Sequence, residues 1–383
     1  MHAFKEPTQQ LSEQDQPQDR AQNRPTPRTW LVLGDKRGDN GQVEMIARAL
    51  GWPCERRNLV MRARYAVAKP WVRPSLHHID QERSDPLEPP WPDLIITVGR
   101  RPSMVALWIA RQSGWRTKLV LVTKPSGMTR RFDLIIAGAE TRMPPLPNVL
   151  TVTLPLMRID EDKVVAAAEA WRSRLASLPR PLIGFMIGGP TGPFVFDDTV
   201  TERLLAVVDQ VVAAGGTPYL TTSRRTPEAT IAALQARLPE SARLFRWTPD
   251  GPDNPYLGLL GLADGFVVTG DSISMLVEIA GLRKPLAILE LPCGWFGRLD
   301  MIRRRWIRQM FDPAQGGGRL RRAAVMALYG IRVINHTRDF AAFYDLLVER
   351  GLAVRAGEGF PQPRGEVPDE LDLVVARIKA LVT

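Results

Sequence analysis

Residues 266–278 read Phe266-Val267-Val268-Thr269-Gly270-Asp271-Ser272-Ile273-Ser274-Met275-Leu276-Val277-Glu278. The apolar run predicts a short buried strand, and Gly270-Asp271-Ser272 a turn. Met275, Ile279 and Leu282 then recur on one face of a helix. Asp271, Ser272 or Ser274 is placed to cap that helix. Its first N–H groups and positive dipole end suit a phosphate or diphosphate. Glu278 follows one to two turns in, where a carboxylate accepts hydrogen bonds from sugar hydroxyls. The plainer reading is a routine strand-to-helix turn of an α/β domain.

Outward from this stretch the chain alternates strand and helix. On the N-terminal side Trp30–Leu33, Leu94–Val98, Lys118–Val122 and Leu134–Ala137 are short apolar runs suited to a buried parallel sheet. The first is followed by a glycine-rich loop, Gly34–Gln42, and a helix from about Val43. Leu94–Val98 is followed by Gly99-Arg100-Arg101-Pro102-Ser103 and a helix from Met104. A second series begins after Pro179-Arg180-Pro181. Leu182–Ile187 leads into Gly188-Gly189-Pro190-Thr191-Gly192-Pro193, and Thr217–Thr222 into Ser223-Arg224-Arg225-Thr226-Pro227. This is the pattern of two Rossmann-like, doubly wound halves in tandem with a cleft between them. Ligands of such sheets bind at the carboxyl ends of strands, where these loops fall. The expected division is a disordered tail over 1–28, an N-terminal domain over 29–178 and a C-terminal domain over 179–383. The last helix is free to return to the N-terminal domain.

Composition excludes several classes. With 383 residues, 44% hydrophobic and 24% charged, the chain has the content of an ordinary soluble protein. No apolar run approaches the roughly 18–20 residues that span a bilayer. The two cysteines, Cys54 and Cys293, and the four histidines form neither a disulfide framework nor a ligand set. No metal or cofactor is expected, and a reducing cytoplasm fits. The net charge of +10 serves an anionic partner. Nucleic acid is the weakest choice, because no reading motif is present. Within 298–311, Leu299, Ile302, Trp306 and Met310 recur at helical spacing with Arg298, Arg303, Arg304, Arg305 and Arg308 around them. Such a helix either lies on an anionic membrane or packs its stripe on the domain.

The Gly34–Gly41 loop has neither the Gly-x-Gly-x-x-Gly dinucleotide spacing nor a Walker Gly-Lys-Ser/Thr, and no Gly-x-Ser-x-Gly elbow occurs. What remains is glycine, serine and arginine at strand ends. Trp30–Leu50, Gly99-Arg100, Ser223–Pro227 and Thr269–Glu278 together resemble the ELM-type mitochondrial fission family. That family is similar to GT-B glycosyltransferases, and the likeness covers roughly 30–340. The chain departs from the family pattern at Asp39, where many members carry histidine. It departs again at Gly138-Ala139-Glu140-Thr141, in place of a Pro-x-His-Asp element.

The resemblance implies a GT-B-like fold whose C-terminal half binds a nucleotide-diphosphate sugar. Gly188, Gly189 and Thr191 would face the diphosphate, through backbone and hydroxyl. Ser223 with Arg224 or Arg225, in the loop that includes Thr226, would supply charge, since a guanidinium binds phosphate oxygens as a fork. The turn at Asp271, Ser272, Ser274 and Met275 would set the helix N-terminus under the diphosphate, and Glu278 would bind ribose. The acceptor side would use Gly38, Asn40, Gln42, Gly99 and Arg100, with Asp39 as general base. Asp39 is equally suited to cap the helix expected near Val43. The expected function is metal-independent transfer of a sugar to a cell-envelope glycan or glycolipid, in the cytoplasm or peripherally on the inner face of the membrane. The alternatives are a nucleotide-sugar epimerase on the same fold and a non-catalytic membrane adaptor.

Overall fold

A computed structural model describes residues 26–35, 37–63, 65, 73–125, 128–157, 159–249, 251, 253–311, 319–330, 334 and 337–382. Residues 37–39, 142, 319–322, 330 and 337 are described by backbone alone. Most of the expected tail, 1–25, lies outside the described residues. Its end does not behave as a tail: the Arg28 guanidinium binds Glu55 at 2.7 Å and its backbone N–H donates to Asp93.

Six strands form the first sheet: β1 (Thr29–Leu33), β2 (Cys54–Asn58), β3 (Leu94–Val98), β4 (Lys118–Val122), β5 (Leu134–Gly138) and β6 (Val149–Val152). All pairs are parallel and the order is β2-β1-β3-β4-β5-β6. The second sheet contains β7 (Leu182–Met186), β8 (Thr217–Thr221), β9 (Arg243–Phe245), β10 (Gly265–Thr269), β11 (Leu286–Leu289) and β12 (Val354–Arg355). Its order is β9-β8-β7-β10-β11-β12, again wholly parallel. Numbered from its own first strand this is 3-2-1-4-5-6, the dinucleotide-type winding. The direction of winding reverses between β7 and β10, and in the first sheet between β1 and β3. Those reversals open crevices at the carboxyl ends of these four strands. β1, β3, β7, β10 and β11 are buried along their whole length. A strand covered by helices on both faces has no polar side, which explains the unbroken Val, Ile and Leu runs.

Two helices begin earlier than the sequence suggests. α1 spans Arg37–Leu50 and α2 spans Arg100–Gln112. Gly38, Asp39, Asn40 and Gln42 are therefore in the first two turns of a helix, not in a loop, and Asp39 does not cap a helix starting near Val43. Arg100-Arg101-Pro102-Ser103 are likewise helical. Proline is tolerated in a first turn because its missing N–H has no intrahelical partner there. Glycines at 38 and 41 and proline at 102 favour a loop locally, and packing on the sheet overrides them.

α3 (Glu161–Leu175) follows the first sheet in sequence but packs with the second core through Val164 and Leu175. α4 (Asp198–Ala213), α5 (Glu228–Arg237), α6 (Tyr256–Leu262) and α7 (Ile273–Gly281) fill the second unit. α8 (Trp295–Phe311) and α9 (Arg319–Gly330) share a small cluster of Ile307, Phe311 and Val325, and α10 (Phe340–Glu349) follows. α11 (Leu371–Val382) crosses back, and its Val374, Val375 and Ile378 join Leu31, Val43, Ile46 and Ile96 in the first core. The two units are also stitched by an antiparallel ribbon of Thr141–Arg142 with Thr337–Arg338. Tyr329 Oη meets Thr129 Oγ1 at 2.9 Å on the same side. Among the described residues no helix is long and apolar enough to cross a membrane.

Ile378 is fully buried against the first sheet. Ile378→Ala should cost about 2–5 kcal/mol, seen as an early unfolding transition in urea. A variant with an unchanged midpoint would show that α11 contributes nothing to the first core.

Candidate functional site

Thr269, Gly270 and Asp271 leave the carboxyl end of β10, directly beside Gly188 and Gly189 at the end of β7. The Asp271 side chain is completely buried. Its Oδ1 accepts from Thr269 Oγ1 at 2.8 Å, and its Oδ2 accepts from Gly189 N at 3.0 Å and Arg225 Nη2 at 2.7 Å. Thr269 Oγ1 in turn accepts from Gly188 N at 2.8 Å. A carboxylate this deep is tolerable only with a counter-charge and several donors, and all are present. The two glycines are required by contact: a Cβ at Gly188 would fall inside the Asp271 carboxylate, and one at Gly189 inside the Arg225 carbonyl.

This clamp revises the roles expected of the glycine loop. The N–H groups of Gly188 and Gly189 are taken by Thr269 and Asp271, so they are not donors to a diphosphate. The buried carboxylate needs them more. Asp271 likewise does not cap the next helix and offers no free edge to a ligand. Thr226 is buried, its Oγ1 donating to Gly188 O at 2.6 Å and accepting from Ser223 N at 2.9 Å. Ser223 Oγ lies 3.2 Å from the same carbonyl. Both hydroxyls hold the loop in shape.

The two arginines separate cleanly. Arg225 is fixed between Asp271 and Thr191, donating to Thr191 Oγ1 at 2.6 Å, with part of its guanidinium still exposed. Arg224 is exposed and makes no ion pair or side-chain hydrogen bond among the described residues. α7 starts at Ile273 with Ser272 as its flanking residue, and no side chain caps it. The nearest hydroxyl pair, Ser272 and Ser274, is 3.5 Å apart. The N–H groups of Ile273, Ser274 and Met275 thus lie in an uncapped first turn that follows Asp271, the partner of Arg225. Met275 packs its side chain on the core, so only its backbone faces this end.

Glu278 lies between one and two turns into the helix, where its Oε2 accepts from Tyr256 Oη at 2.5 Å. Burial pushes its carboxyl above the ordinary value, partly offset by the tyrosine hydrogen bond. Burial and the facing carboxylate push Tyr256 up as well. Glu278 lines a cavity of about 380 Å³ with Val277, Gly281, Met45 of α1 and Leu371 of α11. Elements that follow both sheet reversals therefore border one space.

On the first unit, Asn40 Nδ2 donates to Gly34 O at 2.8 Å, and Gly34 sits so close to Pro102 that a Cβ would lie 2.9 Å from its Cγ. Gln42 is buried and so turned from any ligand. Gly99 has φ +84° ahead of α2, which again has no side-chain cap. Arg100 is partly buried there, and burial and neighbouring Arg101 both lower its pKa. The side chain of Asp39 lies outside the described residues, and Gly38 is placed by its backbone alone. Among the described residues no cluster could hold a metal ion. Asp160-Glu161-Asp162 has an Asp-x-Asp spacing, but Asp160 caps α3 through Lys163 N and pairs with Lys163 Nζ at 2.8 Å.

Two positioning residues carry no sequence signal. Tyr344 of α10 is buried, and its Oη donates to Gly270 O at 2.7 Å, pinning the turn from beneath. Tyr256 comes from α6, far from any motif. Only Thr269 was in plain view, as the last strand residue before Gly270.

Two doubly wound units with loops gathered at their strand reversals define a protein of GT-B type. The chain belongs to the Mitochondrial fission ELM1 family, whose model matches residues 37–308. It is 27% identical over 227 residues to Mitochondrial fission protein ELM1 of Arabidopsis thaliana, 53% of each chain. The chain thus spans about half the length of that plant relative. It is 22% identical over 299 residues to protein RP120 of Rickettsia prowazekii (strain Madrid E), 69% of this chain and 83% of that one. Among solved structures it is similar to Staphylococcus aureus MnaA with UDP at TM-score 0.46 and 11% identity, covering 93% of this chain and 97% of that one. It is also similar to Acinetobacter baumannii MurG at TM-score 0.42 and 12% identity, covering 92% and 100%.

Asp271→Ala should cost about 2–4 kcal/mol, because it orphans a buried N–H and hydroxyl and frees a half-exposed guanidinium. The check is a chemical unfolding midpoint; a variant as stable as wild type would show that Asp271 does not clamp these loops. For Glu278 the folded pKa is raised above the ordinary 4.5. Its stabilisation is present below that value and lost as pH rises through the folded pKa. The Tm of Glu278→Gln relative to wild type should therefore climb from acid to neutral pH. A flat difference would mean that the carboxyl is not buried.

Proposed function

We propose that the protein transfers a sugar from a nucleotide-diphosphate donor held at the reversal point of its second sheet. The observation that carries this reading is the uncapped N-terminus of α7 next to Asp271 and its partner Arg225, with Arg224, exposed and without an ion pair among the described residues, next in sequence. Three N–H groups, a dipole end and two guanidinium groups form a preorganised seat for two phosphates. Neutralisation of Asp271 by Arg225 leaves the positive charge of Arg224 to the ligand. Glu278, on the same helix, is the group assigned to the ribose hydroxyls, with Tyr256 holding its orientation.

In the reaction the bond between anomeric carbon and diphosphate oxygen breaks, and its electron pair leaves with the diphosphate. The acceptor hydroxyl oxygen forms the new bond to carbon and gives its proton to a base, the role assigned to Asp39. Negative charge grows on the departing diphosphate, and fixed donors aimed there lower the barrier most. Gly99 and Arg100, at the uncapped start of α2, are assigned to the acceptor, a cell-envelope glycan or glycolipid. The working place is the cytoplasm, at the inner face of the membrane. An epimerase would use the same donor seat and need no acceptor, so turnover of donor alone separates the two activities.

The test is thermal stabilisation by UDP, GDP, CDP, ADP and their sugar conjugates. A ligand at about 100 times its Kd adds about 2.7 kcal/mol, a rise of roughly 5–11 °C in Tm. One nucleotide should give such a rise, and Arg224→Ala or Glu278→Ala should abolish it. No rise at millimolar concentration with any of them would overturn the donor site.

A further inference from the structure

We propose that the outward face of α8 seats the protein on an anionic lipid bilayer. Trp295, Phe296, Leu299, Ile302 and Trp306 are each between 53% and 71% exposed. At 100° per residue, Trp295, Leu299, Ile302 and Trp306 form one stripe along the outside of the helix. The sequence leaves open whether this stripe packs on the domain. It does not: the inner face is made by Ile307 and Phe311, both buried, and only Met310 of the expected stripe joins their cluster. Four large apolar side chains on one exposed helix face, with Phe296 exposed beside Trp295, exceed the scatter normal for a surface.

The rim supplies the charge that identifies the partner. Arg298 and Arg305 lie along one edge of the stripe, exposed and without a carboxylate partner among the described residues. Arg303 lies along the other edge, half-exposed and shared with Asp300. Arg304 is different. Its side chain is 13% exposed, its Nε binds Asp300 Oδ2 at 2.6 Å, and Nη1 donates to Arg338 O. Arg308 faces Asp339 at 3.7 Å. These two arginines fasten the helix from beneath and leave the expected membrane set. An apolar stripe with arginine edges matches acyl chains bordered by anionic headgroups. A second copy of the chain would set arginine against arginine along the same edges, which disfavours it.

The position of the helix gives this face a purpose. Phe194 forms a bridge to Cys293, and Gly297 lies directly against Pro193 O. α8 therefore starts against the end of the Gly188–Pro193 loop, so a bilayer on its face comes close to the donor seat. The inference stands without the nucleotide reading, since lipid binding is measured with no nucleotide present.

The experiment is flotation of the full chain with phosphatidylcholine vesicles, with and without phosphatidylglycerol. Wild type should float with the anionic vesicles only and come off in salt. Ile302→Ser with Trp306→Ser, and separately Arg298→Glu with Arg305→Glu, should each weaken binding by at least about tenfold. Both double variants alter exposed side chains and should keep the wild-type Tm and any nucleotide-induced rise. Wild type remaining unbound, or variants floating as well as wild type, would overturn the proposal. So would a lipid-free dimer that the Ile302→Ser and Trp306→Ser pair dissolves, which would give the face to a second copy.

Discussion

The buried carboxylate of Asp271 is the constraint around which the second unit is built. It takes a backbone N–H from the loop after β7, a hydroxyl from the end of β10 and a guanidinium from the loop after β8. Three strand ends are thereby locked to one point at the sheet reversal. An unpaired charge there would be prohibitive, so each partner is held as firmly as the carboxylate itself. The proton chain from Gly188 N–H through the Thr269 hydroxyl to Asp271 polarises in one direction, which strengthens each bond. Loops fixed in this way would have little reorganisation left to do on meeting the proposed anionic ligand.

The same logic explains how the loops divide their labour. The Gly188 and Gly189 amides and the Ser223 and Thr226 hydroxyls are all engaged within the loops themselves. Among the described residues the groups left over here are a helix end, the Arg224 guanidinium and the outer half of Arg225. Below them Tyr344 fixes the turn, and beside them Tyr256 fixes Glu278. The apolar face of α8 is joined to this arrangement through Pro193 and Gly297, so surface and seat share one rigid frame.

Much of the fold was legible because buried parallel strands announce themselves as Val, Ile and Leu runs. The winding reversal, and hence the place of the site, followed from strand–loop–helix alternation around Gly188 and Gly270. Helix starts were less legible. Glycines at 38 and 41 and proline at 102 read as loop by local preference, while the sheet beneath imposed helix. Which arginine of the pair at 224 and 225 is held was also beyond the sequence, since the answer lies 46 residues away at Asp271. Tyr344, 74 residues from the carbonyl it binds, left no trace in local pattern. The sidedness of α8 depended on what lay under it: spacing gives the stripe, but only tertiary contacts say which way it faces.

The return of α11 to the first sheet has a consequence for how the chain is made. During synthesis the strands of the first unit emerge early, yet the layer that covers Val43, Ile46 and Ile96 is encoded in residues 371–382. Folding of the first unit therefore stays unfinished while the whole second unit is being translated. This contact closes roughly 300 residues of chain and forms only after the second unit is made, and long closures are entropically slow. Until then the nascent chain carries an open apolar sheet face, the form of exposure that chaperones exist to shield.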